Sequence, residues 1–298
     1  MTNFNLKKGM LTAIVFLSGM TLFAQGVCND FSYFYSDITY PETGNQSDIY
    51  AVTLDDGTAT LSPIIEDLDF GAHIAYNTVS NLIYVVNDAN GAISILDPIT
   101  GTISGAVQVD LNISGVVNAA FNSEGYLLIG SSNNKIYQVD LSTNPYELSL
   151  FASTDGINGG DFTFVGSGAD EKLIRVTNPS NNLSEVIPGF ADPVLGTVID
   201  EPTGMATFED NESVIISSED NSQFFVYSTD DATQIAAYDI ILDDEPFTMF
   251  HGDMASGCSE SSSSIEGCED FRTYYMEDAQ GGGMDNLYEV TFNGMGGV

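Results

Sequence analysis

The chain has 298 residues, 43% of them hydrophobic, with 18 Phe, 14 Tyr and no Trp, which is enough apolar material for one full core. Its 43 acidic residues against six basic ones give a net charge of −37. A field of that sign repels nucleic acid and anionic lipid, and favours cations, basic partners or solubility in salty surroundings.

Residues 1–24 read as a secretory leader: Lys7 and Lys8 in a polar start, an apolar run from Met10 to Phe23, and Ala24 as the cleavage point before Gln25. The remaining chain keeps only Lys135, Lys172, Arg175 and Arg272 against all of the acids. No later stretch reaches the ~20 apolar residues a spanning helix needs. The expectation is a protein without membrane insertion, secreted from or held at the surface of a bacterium. Export permits disulfides, and three cysteines, Cys28, Cys258 and Cys268, leave one over.

Strand candidates begin with Phe31 to Tyr35, Ile49 to Leu54 and Ala59 to Ile65, separated by Pro41-Glu42-Thr43-Gly44-Asn45 and Asp55-Asp56-Gly57. Short β-rich runs cut by Gly, Asn and Asp are hairpin grammar. From residue 71 a four-strand unit follows: an opening strand at His73, then Leu82 to Asn87, Ala92 to Asp97 and Thr102 to Asp110. The next has Tyr126 to Gly130, Lys135 to Leu141 and Glu147 to Ala152. A shorter one uses Lys172 to Thr177 and Leu183 to Ile187, and the last uses Ser213 to Ser217, Gln223 to Ser228 and Gln234 to Leu242. Opening strands recur at His73, Asn118, Asp161, Met205 and Asp253, a period of roughly 44 residues, which signals a β-propeller.

The segment from Cys28 to Phe70 holds the later strands of a unit without an opening one, whereas Gly252 to Gly257 is an opening strand without a unit. The C-terminal strand therefore completes the first blade, closing an all-β propeller of five blades, with six as the alternative. Antiparallel pairing there sets Cys258 against Cys28, and a disulfide between them is expected to lock the ring. After Cys258, Ser259 to Gly267 reads as a Ser-rich linker. Cys268-Glu269-Asp270-Phe271 then repeats Cys28-Asn29-Asp30-Phe31, and Asn286-Leu287-Tyr288-Glu289-Val290 echoes Asp48-Ile49-Tyr50-Ala51-Val52. The domain reading is a leader at 1–24, a propeller at 27–258, a linker at 259–267 and the truncated start of a second copy at 268–298, continuing in a longer polypeptide.

Leu82-Ile83-Tyr84-Val85-Val86-Asn87, followed by Ile95-Leu96-Asp97-Pro98-Ile99-Thr100-Gly101 and echoed in Lys135-Ile136-Tyr137-Gln138-Val139-Asp140, resembles the blade pattern of secreted bacterial β-propellers of the YVTN and SMP-30-like superfamily. The resemblance covers residues 28–258 and implies a module of the kind found in tandem copies in large surface proteins. Five blades depart from the six or seven common there.

Walker, Gly-x-Ser-x-Gly, His-Glu-x-x-His and EF-hand patterns are absent from the sequence. Opening strands line a propeller channel, so His73, Asp161 and Asp253, with His251 on the same face as Asp253, are expected to converge. That makes them candidate ligands for a divalent cation such as Ca²⁺. Asp161 and Asp253 also supply the two carboxylates a glycosidase requires, but without Trp the aromatic platforms of a sugar site are thin. Tyr76, Phe121, Phe164 and Phe208 recur at one blade position, as residues packing between blades do. The functional expectation is a non-enzymatic binding or adhesion module for an extracellular protein or glycan. A metal-dependent hydrolase or lactonase acting in the channel is the alternative.

Overall fold

Local turn chemistry sets the strand boundaries. Asn77 Oδ1 accepts the N–H groups of Val79 and Ser80, Asn87 Oδ1 those of Ala89 and Asn90, and Asp97 Oδ1 those of Ile99 and Thr100. Each is an Asx turn at the end of a strand, and Asn81, Gly91 and Gly101 follow in the left-handed region with φ of 57°, 68° and 66°. The computed structural model describes residues 31–41, 44–109, 115–154, 160–258, 273–277 and 286–290. The leader, Cys28, the linker and Cys268 lie outside the described residues.

The first unit supplies β1 (Phe31–Thr39), β2 (Gln46–Asp55) and β3 (Thr58–Leu68). The second holds β4 (Ala72–Asn77), β5 (Leu82–Asn87), β6 (Ile93–Asp97) and β7 (Thr102–Ile103), and the third β8 (Val116–Phe121), β9 (Leu127–Ser131), β10 (Lys135–Asp140) and β11 (Glu147–Ser153). The fourth has β12 (Phe162–Val165), β13 (Lys172–Val176), β14 (Asn182–Val186) and β15 (Val194–Thr197). The fifth has β16 (Pro202–Thr207), β17 (Ser213–Ser218), β18 (Gln223–Ser228) and β19 (Gln234–Leu242), with the two-residue β20 (Glu245–Pro246) on its edge. Then β21 (Gly252–Cys258) returns to pair antiparallel with β1, from Phe31 opposite Cys258 to Asp37 opposite Gly252. The described residues thus form five four-stranded antiparallel units, and the first takes its inner strand from the other end of the propeller.

A second seam lies outside what the repeat predicts. β19 runs parallel to β3, Asp239 opposite Thr58 through Leu242 opposite Leu61, so the outer edges of the fifth and first blades join into one nine-stranded sheet. Two strand readings also change. The outer strand expected from Thr102 to Asp110 is regular only at Thr102–Ile103; beyond it Val107 bridges Ile93 and Val109 bridges Tyr146 of the next blade. The fourth blade gains β15, whose short Val194-Leu195-Gly196-Thr197 run has no alternation to announce it and is a strand through its pairing with β14.

The core lies between blades. Its buried clusters each join neighbouring units: Phe34, Ile49, Ile74, Ile83 and Val85 between the first and second, and Val86, Ile93, Leu127 and Ile129 between the second and third. Leu128, Ile136, Phe162 and Leu173 join the third and fourth, Ile174, Leu183, Met205 and Val214 the fourth and fifth, and Tyr35, Tyr50, Ile215 and Phe224 the fifth and first. At ~1.5–3 kcal/mol per fully buried large side chain, these interfaces rather than the hydrogen-bond ladders decide the ring. Separately, β22 (Thr273–Glu277) pairs with β23 (Asn286–Val290) as a two-stranded sheet. There Tyr275 lies opposite Tyr288 and Thr273 opposite Val290, the register in which Tyr35 lies opposite Tyr50 and Tyr33 opposite Val52.

Candidate functional site

The inner strands β4, β8, β12, β16 and β21 stand around a central channel, and the expected polar ring is found on them. His73, Asp161 and Asp253 are buried, at 5%, 0% and 1% exposure. Asp253 Oδ2 accepts the Ile74 N–H at 2.8 Å and its Oδ1 accepts the Met254 N–H at 2.8 Å. Asp161 does the same between the fourth and fifth blades, taking Met205 N–H on Oδ2 and Phe162 N–H on Oδ1, both at 2.6 Å. Asn118 completes the pattern by donating from Nδ2 to the Gly160 carbonyl at 2.9 Å. Each of these side chains ties its own inner strand to that of the next blade.

Carboxylates from units that are not neighbours also meet across the channel, Asp161 with Asp253. Burial first, and then the Asp253 carboxylate, hold Asp161 well above the usual carboxylate range. His73 Nδ1 lies 3.3 Å from Asp253 Oδ2 without the alignment of a hydrogen bond. Burial, with His73 adding to it and Asp253 opposing, lowers the pKa of His251 from 6.5 to about 4. The four residues expected to ligate a cation are therefore gathered, and each oxygen of both aspartates accepts a backbone N–H group. Among the described residues no group of three or more His, Cys, Asp or Glu side chains is arranged to hold a metal ion. In this geometry the ring is a set of staples between blades.

At the opposite end, where the inner strands finish, the channel opens into a funnel of about 720 Å³. Ala75, Ala119, Ala120, Met254 and Ala255 form an apolar floor, and Tyr76, Phe121, Phe164 and Phe208 stand around it. Those aromatics do pack between blades: Tyr76 meets Phe34 at 4.8 Å, Phe121 meets Tyr84 at 4.9 Å, and Phe208 meets Tyr33 at 6.1 Å between centroids. Tyr76 is buried by this packing, whereas the other three, close to the ends of β8, β12 and β16, are covered only in part. Phe121, Phe164 and Phe208 are half-buried and face the funnel. Their repeat in the sequence predicts only the packing role.

Hydroxyls lie between the rings. Thr163 and Thr207 share a hydrogen bond of 3.0 Å between their Oγ1 atoms, and Ser256 Oγ donates to the Thr207 carbonyl at 2.6 Å. The rim is acidic: Glu171, whose Oε1 accepts the Ser123 N–H at 2.6 Å, and Glu209, whose N–H donates to the Tyr33 hydroxyl at 3.0 Å, with Asp210 beside it. Asp210 is itself held by the N–H groups of Glu212 and Ser213. Sequence reasoning misses these residues because they fall in turns whose acids look like ordinary turn chemistry. The one legible signal is the aromatic repeat itself, followed in the fifth blade by Glu209-Asp210.

No protein-family model matches the sequence, and no curated protein matches it. Among solved structures the chain is similar to one in the crystal structure of a nidogen/laminin complex, at 9% identity and a TM-score of 0.50, covering 76% of this chain and 98% of that one. It is also similar to a structural-genomics protein of unknown function from Bacteroides thetaiotaomicron, at 10% identity and a TM-score of 0.49, covering 76% and 77%. A third is virginiamycin B lyase from Staphylococcus aureus, at 12% identity and a TM-score of 0.42, covering 72% and 76%. The first likeness is one of fold alone, and the fold is an all-β propeller.

Proposed function

We propose that the protein is an exported, non-enzymatic binding or adhesion module of a larger secreted or surface protein, and that it takes an extracellular protein or glycan ligand in the funnel. The observation that carries this reading is the funnel itself: a concave site of about 720 Å³ with aromatic walls, hydroxyls and carboxylates, within the usual range of ligand sites. Its walls stand on the ends of hydrogen-bonded strands, with the staples of Asn118, Asp161 and Asp253 beneath them, so little ordering remains to be done on binding. The leader pattern and the acidic surface support a place outside the cell. The shared register of β22–β23 and β1–β2 supports a second unit of the same design behind the linker, as in the tandem YVTN and SMP-30-like proteins the sequence resembles.

Ser123→Trp tests the site, since Ser123 is an exposed rim residue and the chain has no Trp of its own. Arrayed extracellular glycans and polypeptides that capture the wild type should be lost from the variant, or should shift its single Trp emission. Ligands captured equally by both proteins, with unchanged emission, would place binding elsewhere.

A further inference from the structure

Resting on the funnel being the binding site, we infer that its occupant is a lysine or arginine side chain of a partner polypeptide, its aliphatic stem laid along Phe121, Phe164 and Phe208 and its cationic head at Glu171 and Glu209. Three features converge on that chemistry. The rim carries carboxylates from two different blades, Glu171 between β12 and β13 and Glu209 just after β16, and among the described residues the lining includes no Lys, Arg or His. Lys172 follows Glu171 in the chain but is not part of the lining. Second, aromatic faces attract a cation lying over them, and the attraction grows as water is excluded. Third, below the rim the floor is apolar and the walls are aromatic rings with only neutral hydroxyls between them, so the site fits a long stem ending in a charge better than a compact hydrated ion.

The volume argues for a polypeptide over a lone organic cation. About 720 Å³ exceeds what one basic side chain fills, leaving room for its flanking residues. Residues 259–267, next in the chain, are acidic where charged, so that stretch does not supply the basic occupant.

Calorimetric titration at pH 7 with an acetylated, amidated Tyr-Lys-Tyr peptide tests the inference, using two relatives: one with norleucine in place of Lys, neutral with a similar stem, and one with 2,4-diaminobutyrate, still cationic at that pH with a stem shorter by two methylenes. The wild type should bind the Lys peptide about tenfold or more tightly than either relative. The double variant Glu171→Gln/Glu209→Gln should lose the preference; the amide oxygen introduced at position 171 can still accept the Ser123 N–H, so the rim keeps its shape. The control Asp243→Asn/Asp244→Asn, in a turn with φ of 52° and 65° that asparagine tolerates, should keep it. Equal binding of the Lys and diaminobutyrate peptides, equal loss in both double variants, or no binding at all overturns the inference. If instead neutral ligands bind the wild type and are lost in Ser123→Trp, the basic occupant is wrong while the funnel remains the site.

Discussion

Asp161, Asp253 and His251 show how one residue type changes its work with its surroundings. A buried carboxylate that accepts two backbone N–H groups is worth more as a strand tie than as an open ligand, because losing either partner leaves a buried polar group unsatisfied. His251 carries a pH consequence with a definite sign. Its pKa falls from 6.5 to about 4 on folding, so between those values the unfolded chain binds the extra proton and stability declines as pH falls. The drop corresponds to at most about 3 kcal/mol. Asp161, raised by burial, acts in the opposite sense, favouring the folded state as it becomes protonated. Chemical denaturation of His251→Gln and wild type at pH 7 and pH 4.5 checks this: the variant should lose less stability on acidification, and parallel losses would show that His251 does not titrate as described.

Among the elements, β21 has the largest consequence, since it supplies the first blade with its inner strand. It is positioned from both ends. Before it, the Ile38 N–H reaches the His251 carbonyl at 2.6 Å and the Phe250 N–H reaches Asp37 at 3.0 Å; a Cβ on Gly252 would strike the Tyr35 ring at 2.2 Å, so only glycine lets the strand come this close. At its far end Cys258 is disulfide-bonded, opposite Phe31 and with its partner outside the described residues. Pairing with Cys28, three residues before Phe31, fits that register and is our proposal. Non-reducing peptide mapping should recover a Cys28–Cys258 peptide, and reduction should lower stability by up to about 5 kcal/mol, the chain-entropy value for a loop of about 230 residues. Recovery of Cys258 with Cys268 would overturn the pairing. The parallel β19–β3 seam closes the same gap at the outer rim, so the ring is latched at its inner and outer edges.

For the whole molecule, charge and modularity set the behaviour. At a net charge of −37 self-repulsion opposes the compact state, so the melting temperature should rise with salt as the Debye length falls from about 30 Å at 0.01 M to about 8 Å at 0.15 M. The β22–β23 hairpin is its own sheet, and two strands alone contribute little stability. A chain ending at Glu260 should therefore melt with the full-length protein at each salt concentration. A fall of several degrees on removing residues 261–298 would show that this segment packs on the propeller.

The repeat, the strand positions and the closure by Gly252 to Cys258 were legible in the sequence because they rest on local rules. Alternating β-branched and aromatic residues, turns marked by Gly, Asn and Asp, and a unit missing its opening strand can each be read without knowing what lies across the molecule. The convergence of His73, Asp161, His251 and Asp253 was legible for the same reason, since equivalent positions on repeated strands must face one axis. What those side chains touch was decided only by tertiary structure. That Asp161 reaches the Met205 N–H depends on the spacing between blades, and whether Phe164 is core or wall depends on how its neighbours cover it. The parallel β19–β3 seam and the funnel likewise depend on how five blades twist and fit around a narrow channel, a geometry that no stretch of the chain encodes locally.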